Sequence, residues 1–505
     1  MESILRNEAS EQRLLSIDLS PEVFREEGHK IIDEIATLIS SIRNHAVTPA
    51  PTPGSLQEKL PATMPLAGMD PSSVMTETWN LLLENSLFNS HPRFWGYITS
   101  SPAPTGILGD LMASAINSNC GAFVLAPIAT KIEKQTIQWL GSFIGFPAGG
   151  GVMVSGGNMA NFIGFLAARK AKANWDIRKL GLHVLQGKWR VYTSAETHTW
   201  INKAVDLFGL GLDSIRWIPV DTHQKMSLSL LEKSIEEDKR QGFVPLMIIG
   251  TAGSVGTGAV DSLKQIGDLC KKYDCWFHVD GAYGGFAAAL PELKGLFAGI
   301  ELADSVAIDP HKWLYSPLEA GCALVKDPSV LTDAFSFHPV YYNFESKEEI
   351  QTNFYESGLQ NSRGFRALKV WLEFRHLGAE GHMQLIREDI QLAKRFFELL
   401  KETREIEAFT QHLSITTFRY KPHGIDRESG QEYLNKLNQT LLDRLQAGGQ
   451  VFPSNAVLDD NFLLRTCIVN FRTRFSDLKE FLSIVLNEGR LIHEQMQKAN
   501  GNTLS

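Results

Sequence analysis

The residues best suited to chemistry stand where short apolar runs end. In SVAIDPHKWLYSP (305–317), an apolar run stops at Asp309 and is followed at once by His311 and Lys312. In DCWFHVDGAYGG (274–285), Asp280 ends a second apolar run and small residues follow it. A lysine amine at a pocket mouth is a nucleophile, and a carboxylate with little water requires a cationic partner. Taken singly, Lys312 also fits a surface lysine, and Asp280 fits a helix cap or a structural salt bridge.

Two further segments carry groups of the kind found in ligand sites. In GVMVSGGNMANFIGFLAARK (151–170), Gly156, Gly157 and Asn158 stand between an apolar run and a helical pattern. Glycines let backbone N–H groups at a helix start approach a phosphate, although many such turns carry glycine merely to turn. His198, in VYTSAETHTWINKA (191–204), could stack on a planar ring or move protons, but a lone histidine is more often a packed or capping residue. No histidine and carboxylate spacing indicates a metal site.

These segments belong to an alternating pattern of strands and helices between about residues 100 and 330. The predicted strands lie at 190–194, 215–220, 244–251, 276–282, 305–309 and 322–326. Such alternation predicts a mostly parallel central sheet with helices on both faces, in which ligands gather at the carboxyl ends of the strands. We therefore expect a large α/β domain over residues 101–390.

The two ends of the chain have different patterns. Residues 391–505 read as a smaller C-terminal α/β domain, with helical stretches and two strand-like runs, SITTFRY (414–420) and LRTCIVNF (464–471). Residues 1–100 read as a helical arm and linker, because apolar residues in 22–42 recur at helical spacing and HAVTPAPTPG (45–54) cannot continue a helix.

Composition narrows the class of protein. The 505 residues carry a formal net charge of −8, which argues against nucleic-acid binding. No apolar stretch is long enough for a membrane span, and the N-terminus does not read as a secretion signal. The five scattered cysteines contain no C-x-x-C pair and suit reduced thiols. We expect a cytoplasmic enzyme that acts on a small molecule.

The four segments, in this order and with HPRFWGY (91–97) upstream, resemble the group II pyridoxal-5′-phosphate (PLP) dependent decarboxylases, the family of aromatic-L-amino-acid and glutamate decarboxylases. The similarity continues through SRGFRALKVW (362–371) and covers nearly the whole chain. The resemblance implies fold type I of the PLP enzymes and a homodimer with active sites at the subunit interface. It also implies removal of CO₂ from an L-amino acid, with an aromatic substrate expected.

The resemblance also implies residue roles. Lys312 would bind the PLP aldehyde, Asp280 would pair with the pyridine nitrogen, and His198 would stack on the ring. An opposite charge at about 4 Å in an effective dielectric of about 20 attracts by on the order of 4 kcal/mol, which would keep that nitrogen protonated. The other implied cofactor contacts are Ala282 against the ring, the phosphate loop Gly156, Gly157 and Asn158, and His311 beside the phosphate.

Proton return to the substrate carbon falls, by resemblance, to Tyr341 in FHPVYYNFES, with Tyr342 as the alternative if the register shifts by one. Residues 343–362 fit a lid, and equally an ordinary surface loop. His91, Tyr97 and Ser362 would contact substrate, and the serine at 362 favours phenolic substrates over indolic ones. Where the animal aromatic enzymes carry asparagine near the phosphate this chain has Asp309, and Ile98, Thr99 and Gly121 replace bulkier or stiffer pocket residues.

Three other functions fit the same fold. An aldehyde synthase would oxidise the decarboxylated substrate with O₂, but relatives of that kind replace the loop tyrosine with phenylalanine. An aminotransferase would retain the carboxylate. A non-catalytic binding protein on this fold would have no reason to keep Lys312, Asp280, His198 and Tyr341 together.

Overall fold

The computed structural model describes residues 17–50, 52–184, 187–337, 352–425 and 430–501. Tyr341 and Tyr342 lie outside these ranges. The chain divides into two compact units between Leu87 and Phe88. Each unit has its own secondary structure.

The first unit is helical, as the apolar spacing predicts. Its helices are α1 (Pro21–Ser41), α2 (Pro53–Gln57) and α3 (Pro71–Asn85). Helix α1 begins with a proline in its first turn and with Ser20, whose Oγ accepts a hydrogen bond from the N–H of Val23 at 3.3 Å. The extended connector expected over 45–54 is shorter than predicted. Pro53 begins α2, because the first turn of a helix tolerates a residue without an N–H.

A seven-stranded sheet forms the centre of the second unit. Its strands are β1 (Gly150–Val154), β2 (Lys188–Ser194), β3 (Ile215–Ile218), β4 (Phe243–Thr251), β5 (Trp276–Asp280), β6 (Ser305–Ile308) and β7 (Gly321–Val325). Their order is β1-β7-β6-β5-β4-β2-β3, and β7 runs antiparallel to both of its neighbours while the other pairs are parallel. The expected mostly parallel sheet is confirmed.

Helices surround this sheet. They are α4 (Pro104–Ile116), α5 (Pro127–Phe143), α6 (Gly157–Ala171), α7 (Ile177–Leu180), α8 (Trp200–Leu207), α9 (Leu228–Arg240), α10 (Leu263–Tyr273), α11 (Pro310–Trp313) and α12 (Ser329–Phe335). Every residue of β5, β6 and β7 is buried, so both faces of the sheet are covered at its middle. Apolar strands of this kind need cover on two sides, and the alternating helices provide it.

A smaller sheet follows in the C-terminal part. Its strands β8 (Ile406–His412), β9 (Ile415–Tyr420), β10 (Ser454–Leu458) and β11 (Asn461–Cys467) are all antiparallel, in the order β10-β11-β9-β8. Three helices accompany it: α13 (Ala367–Glu402), α14 (Gln431–Ala447) and α15 (Phe475–Gly501). The expected boundary at 390/391 lies within α13, whose backbone departs from helical geometry at Gly378 (φ 67°).

The described ranges were compared with what a membrane span or a metal site requires. No helix there is long and apolar enough to cross a membrane. The same residues contain no group of three or more His, Cys, Asp or Glu side chains that could hold a metal ion. All five cysteines are buried free thiols.

Candidate active site

Lys312 lies just beyond the end of β6, in the short helix α11. The helix starts with Pro310 after Asp309, so the chain turns immediately at the strand end. The Nζ of Lys312 lies 3.0 Å from Oδ2 of Asp309, whose side chain is only 1% exposed. The lysine side chain itself is 20% exposed, and its amine is therefore partnered yet reachable.

Asp280 ends β5, the parallel neighbour of β6, and pairs in register with Ala307. Its Oδ2 accepts a hydrogen bond from the indole N–H of Trp200 at 2.8 Å, and its Oδ1 accepts one from the N–H of Ala282 at 3.2 Å. The residue is 7% exposed. Two donors thus hold a buried carboxylate at the same sheet edge that delivers Lys312.

Helix α6 brings its amino end to this edge. A Cβ added to Gly157, its first residue, would lie 2.6 Å from Oδ2 of Asp309 and 2.9 Å from Cβ of Ala282. A side chain would not fit there, so glycine is required by close approach rather than by the turn alone. A Cβ on Gly156 would meet the imidazole of His311 at 3.0 Å.

His198 follows β2 in a turn before α8 and is exposed to solvent on one side. Its Nδ1 accepts a hydrogen bond from the N–H of Trp200 at 3.2 Å, which leaves the proton of a neutral ring on Nε2. Partial burial lowers the pKa of His198, although the carboxylate of Asp280 opposes this effect. The imidazole is therefore neutral near pH 7.

One narrow cavity collects most of the predicted cofactor residues. Of these, Gly157, Asn158, His198, Asp280, Ala282 and Lys312 line it. Asn161, Thr251, Gly253, Val255 and Tyr283 complete the lining and were not predicted. Gly253 has φ +101°, and a Cβ there would lie 2.9 Å from backbone atoms of Gly284, so this wall requires glycine. Gly156 and His311 do not line it, although they are close to each other, since a Cβ on Gly156 would lie 3.0 Å from Cε1 of His311.

The predicted substrate residues do not line this cavity in the single chain. The side chain of His91 is buried in a turn, where its Nδ1 accepts a hydrogen bond from the N–H of Arg93 at 3.1 Å. Tyr97 has φ 52° and is 63% exposed, and its carbonyl accepts a hydrogen bond from the buried Arg465. Ser362 is exposed. Their contact with substrate remains a prediction.

A chain of buried hydrogen bonds that ends at Asn161 in the cavity wall was not predicted from the sequence. The indole of Trp276 donates to Oγ of Ser305 at 2.8 Å, and that oxygen lies 2.7 Å from Nδ1 of His278. Nε2 of His278 lies 2.7 Å from Oδ1 of Asn161. An amide oxygen only accepts, so Nε2 carries the proton and Nδ1 accepts from Ser305. Complete burial lowers the pKa of His278 to about 4, and the neutral ring fixes Asn161 in the cavity wall.

Two buried acids hold the segment that follows the lysine. The indole of Trp313 and the hydroxyl of Tyr315 donate to Oδ2 of Asp389 at 3.0 and 2.7 Å. Ser316 donates to Oε2 of Glu373. Burial raises the pKa of Asp389 to about 7 and that of Glu373 to about 8. Both acids belong to α13, so this helix fixes the backbone on the far side of Lys312.

The ends of the segment between α12 and α13 are also fixed. Oγ of Ser336 donates to Oε1 of Glu356 at 2.9 Å, so the chain returns close to where it left. Arg363 is buried, and its guanidinium donates to the carboxylate of Glu133 at 3.1 Å and to the carbonyl of Cys120 at 2.9 Å. The segment SRGFRALKVW, which carries part of the family resemblance, contains Arg363. Its sequence does not indicate that Glu133 is the partner of this arginine.

The groups around the cavity fit PLP. An amine at the mouth matches the aldehyde, and a buried carboxylate matches the pyridine nitrogen. The amino end of α6, with no room for a side chain at Gly157, matches the phosphate. Each group comes from a different element, and all of them meet at one sheet edge.

Comparison with known proteins agrees with this fit. Residues 53–421 match the pyridoxal-dependent decarboxylase conserved domain. An aromatic-L-amino-acid decarboxylase of Bacillus atrophaeus is 33% identical over 92% of this chain and 95% of its own length. A phenylacetaldehyde synthase of a Rosa hybrid cultivar is 30% identical over 97% of each chain. The crystal structure of Oryza sativa TDC with PLP and tryptamine superposes with a TM-score of 0.88 at 26% identity, covering 95% of this chain and 100% of the other. The chain therefore belongs to the pyridoxal-dependent decarboxylase family and is a PLP-dependent carboxy-lyase.

Proposed function

We propose that this protein decarboxylates an aromatic L-amino acid, releasing CO₂ and the corresponding amine. The observation that carries the proposal is the meeting of Lys312 and Asp280 in one cavity, from the ends of two adjacent parallel strands. The aromatic substrate is supported by the similarity to the Bacillus decarboxylase of aromatic amino acids. Tyr97, His91 and Ser362 are the substrate contacts that we propose.

Bound PLP supplies an aldehyde for the amino group and a protonated ring that accepts the electron pair left by departing CO₂. Lys312 would hold the cofactor through Nζ. Asp280 would keep the ring nitrogen protonated, and its own orientation is fixed by Trp200 and by the N–H of Ala282. His198, neutral and fixed through Nδ1, presents Nε2–H at the cavity.

The choice of product depends on how the substrate carbon is reprotonated. We propose Tyr341 as the proton donor and Tyr342 as the alternative; both lie outside the described residues. The similarity to a phenylacetaldehyde synthase makes aldehyde formation the second candidate. Retention of tyrosine at 341 favours the amine.

We also propose a homodimer in the cytoplasm. Helix α4 exposes Leu108, Leu111, Met112 and Ile116 at helical spacing, a stripe that we call the α4 stripe. An apolar stripe of this kind favours burial against another subunit. Tyr97, a proposed substrate contact, is 63% exposed in the single chain, which is consistent with a site that the second subunit completes. Five free buried thiols suit a reducing compartment.

The decisive experiment identifies the products of the purified full chain with PLP and a panel of L-amino acids. The panel contains tyrosine, DOPA, tryptophan, phenylalanine, glutamate, aspartate and 2,4-diaminobutyrate, and the control is Lys312→Ala. We expect amine and CO₂ from one or more aromatic substrates and none from the lysine variant. Aldehyde or keto acid without amine would overturn the reaction, and amine from the acidic or basic substrates alone would overturn the substrate class.

A further inference from the structure

Asp309 places a negative charge beside the position expected for the cofactor phosphate, which is itself an anion. Its side chain is 1% exposed, and its Oδ1 is buried without a hydrogen-bond partner. Its Oδ2 faces the first residue of α6, since a Cβ on Gly157 would lie 2.6 Å from that oxygen. The amino end of a helix attracts anions, and here a carboxylate of the chain itself already lies against it.

The ion pair with Lys312 is what balances this carboxylate. Lys312 Nζ lies 3.0 Å from Oδ2, whereas Nε2 of His311 lies at 3.6 Å. Nδ1 of His311 accepts a hydrogen bond from the N–H of Ala320 at 3.0 Å, and burial lowers the pKa of His311. The histidine is therefore a neutral Nε2–H donor, and the compensating charge comes from the lysine.

Cofactor attachment uses the same lysine. When Lys312 binds the cofactor, its nitrogen no longer serves Asp309 alone. The same cofactor brings a phosphate close to the carboxylate of Asp309. Two anions then face one helix start and one neutral imidazole. An amide at this position would leave the shape unchanged and remove the repulsion.

We propose that the carboxylate of Asp309 competes with the cofactor phosphate for the phosphate site and thereby weakens cofactor binding. This inference rests on the proposed PLP site but not on the reaction or its substrate. The cofactor would consequently exchange more readily than it would with asparagine at this position.

The test measures binding to the apo-enzyme of wild type and Asp309→Asn, using PLP and, in parallel, pyridoxal, which lacks the phosphate. We expect the variant to bind PLP more tightly by on the order of ten- to a hundredfold and pyridoxal with nearly unchanged affinity, since the repulsion acts only on the phosphate. The matched control is Asp304→Asn. It neutralises a carboxylate at the opposite end of β6, which accepts a hydrogen bond from the N–H of Phe277 at 2.8 Å.

Inorganic phosphate gives a second readout that needs no covalent step. Phosphate should raise the melting temperature of apo Asp309→Asn more than that of apo wild type. Equal or weaker PLP binding by Asp309→Asn would overturn the proposal, and so would equal gains for PLP and pyridoxal, which would assign the effect to Lys312. If wild type forms no amine while these differences hold, the proposed reaction fails and this inference stands.

Discussion

At the scale of single residues, Asp280 is the proposed partner of the pyridine nitrogen. Asp280→Asn keeps the size of the side chain and removes the charge that we propose keeps this nitrogen protonated. At an effective dielectric of about 20, we expect kcat to fall by at least about a hundredfold, while much of the bound cofactor is retained. Steady-state kinetics and the cofactor content of the purified variant measure the two effects separately.

Trp200→Phe is the matched control for Asp280. It removes the 2.8 Å hydrogen bond from the indole to Oδ2 and part of a fully buried ring, while the charge of Asp280 stays. The loss of one hydrogen bond to a charged group corresponds to about 1.5–3 kcal/mol, so kcat should fall less than in Asp280→Asn. A larger fall in kcat in Trp200→Phe than in Asp280→Asn would contradict the prediction that the charge of Asp280 matters more than this hydrogen bond.

Tyr341 governs the product in the proposed reaction. Tyr341→Phe removes the proposed proton donor, so we expect amine formation to fall by more than about tenfold and aldehyde to become a major product. Tyr342→Phe is the control and should leave the product mixture unchanged. Product analysis by mass spectrometry decides, and unchanged amine output from Tyr341→Phe would refute the assignment.

The cavity residues differ in how clearly the sequence indicates them. Lys312 and Asp280 stand out because each directly follows an apolar run within a specific motif. Asn161 does not, because the partner that fixes it, His278, lies 117 positions away in the sequence. A hydrogen bond between distant elements depends on the strand order, which local patterns leave open.

At the scale of elements, the strands predicted between 190 and 326 all occur, with bounds that differ by a few residues. Apolar content and length are enough to mark such strands. The direction of β7 was not predictable, since an antiparallel strand on a parallel sheet has the same local composition. Strands β8 and β10 were missed because both give a weak apolar signal: β8 is only half-buried after Ile406, and β10 alternates between buried and exposed residues.

Helix α13 makes stability depend on pH through Glu373. When unfolded, this acid loses its proton near the ordinary pKa of 4.5, whereas burial raises the pKa to about 8 in the fold. Between those values the folded state binds more protons, so the free energy of unfolding falls as pH rises from about 4.5 to about 8. Glu373→Gln should flatten this fall and stabilise the protein by ~2 kcal/mol relative to wild type near pH 8.

Chemical denaturation near pH 5 and near pH 8 measures this effect. The control is Glu398→Gln, on the same helix but with a side chain that is 55% exposed. It should leave the pH profile of wild type unchanged. If the free energy of unfolding of Glu373→Gln falls between pH 5 and pH 8 as much as that of wild type, Glu373 is not the source of the fall.

At the scale of the whole molecule, the α4 stripe is the surface that we expect a second subunit to cover. Leu111 is 54% exposed, while Gly106 and Gly109 on the same helix are buried. Leu111→Asp would place a charge in the apolar interface, so we expect a monomer with at least about tenfold lower activity. Sedimentation velocity measures the assembly.

Leu491→Asp provides the comparison for the interface. Leu491 is 48% exposed but belongs to α15, away from the α4 stripe in sequence. This variant should remain a dimer with wild-type activity. A Leu111→Asp protein that stays dimeric at micromolar concentration would exclude α4 from the interface.

The hydrogen bond between Ser336 and Glu356 has a consequence for divergence within the family. A segment held at both ends by a 2.9 Å hydrogen bond between side chains can change in length or composition at a small entropic cost, since closure entropy grows slowly with the number of residues. Arg363 fixes the chain just after that segment, independently of what the segment contains. We therefore expect substitutions in the stretch that carries the proposed proton donor, Tyr341, to change the product while the residues of the cofactor cavity stay the same.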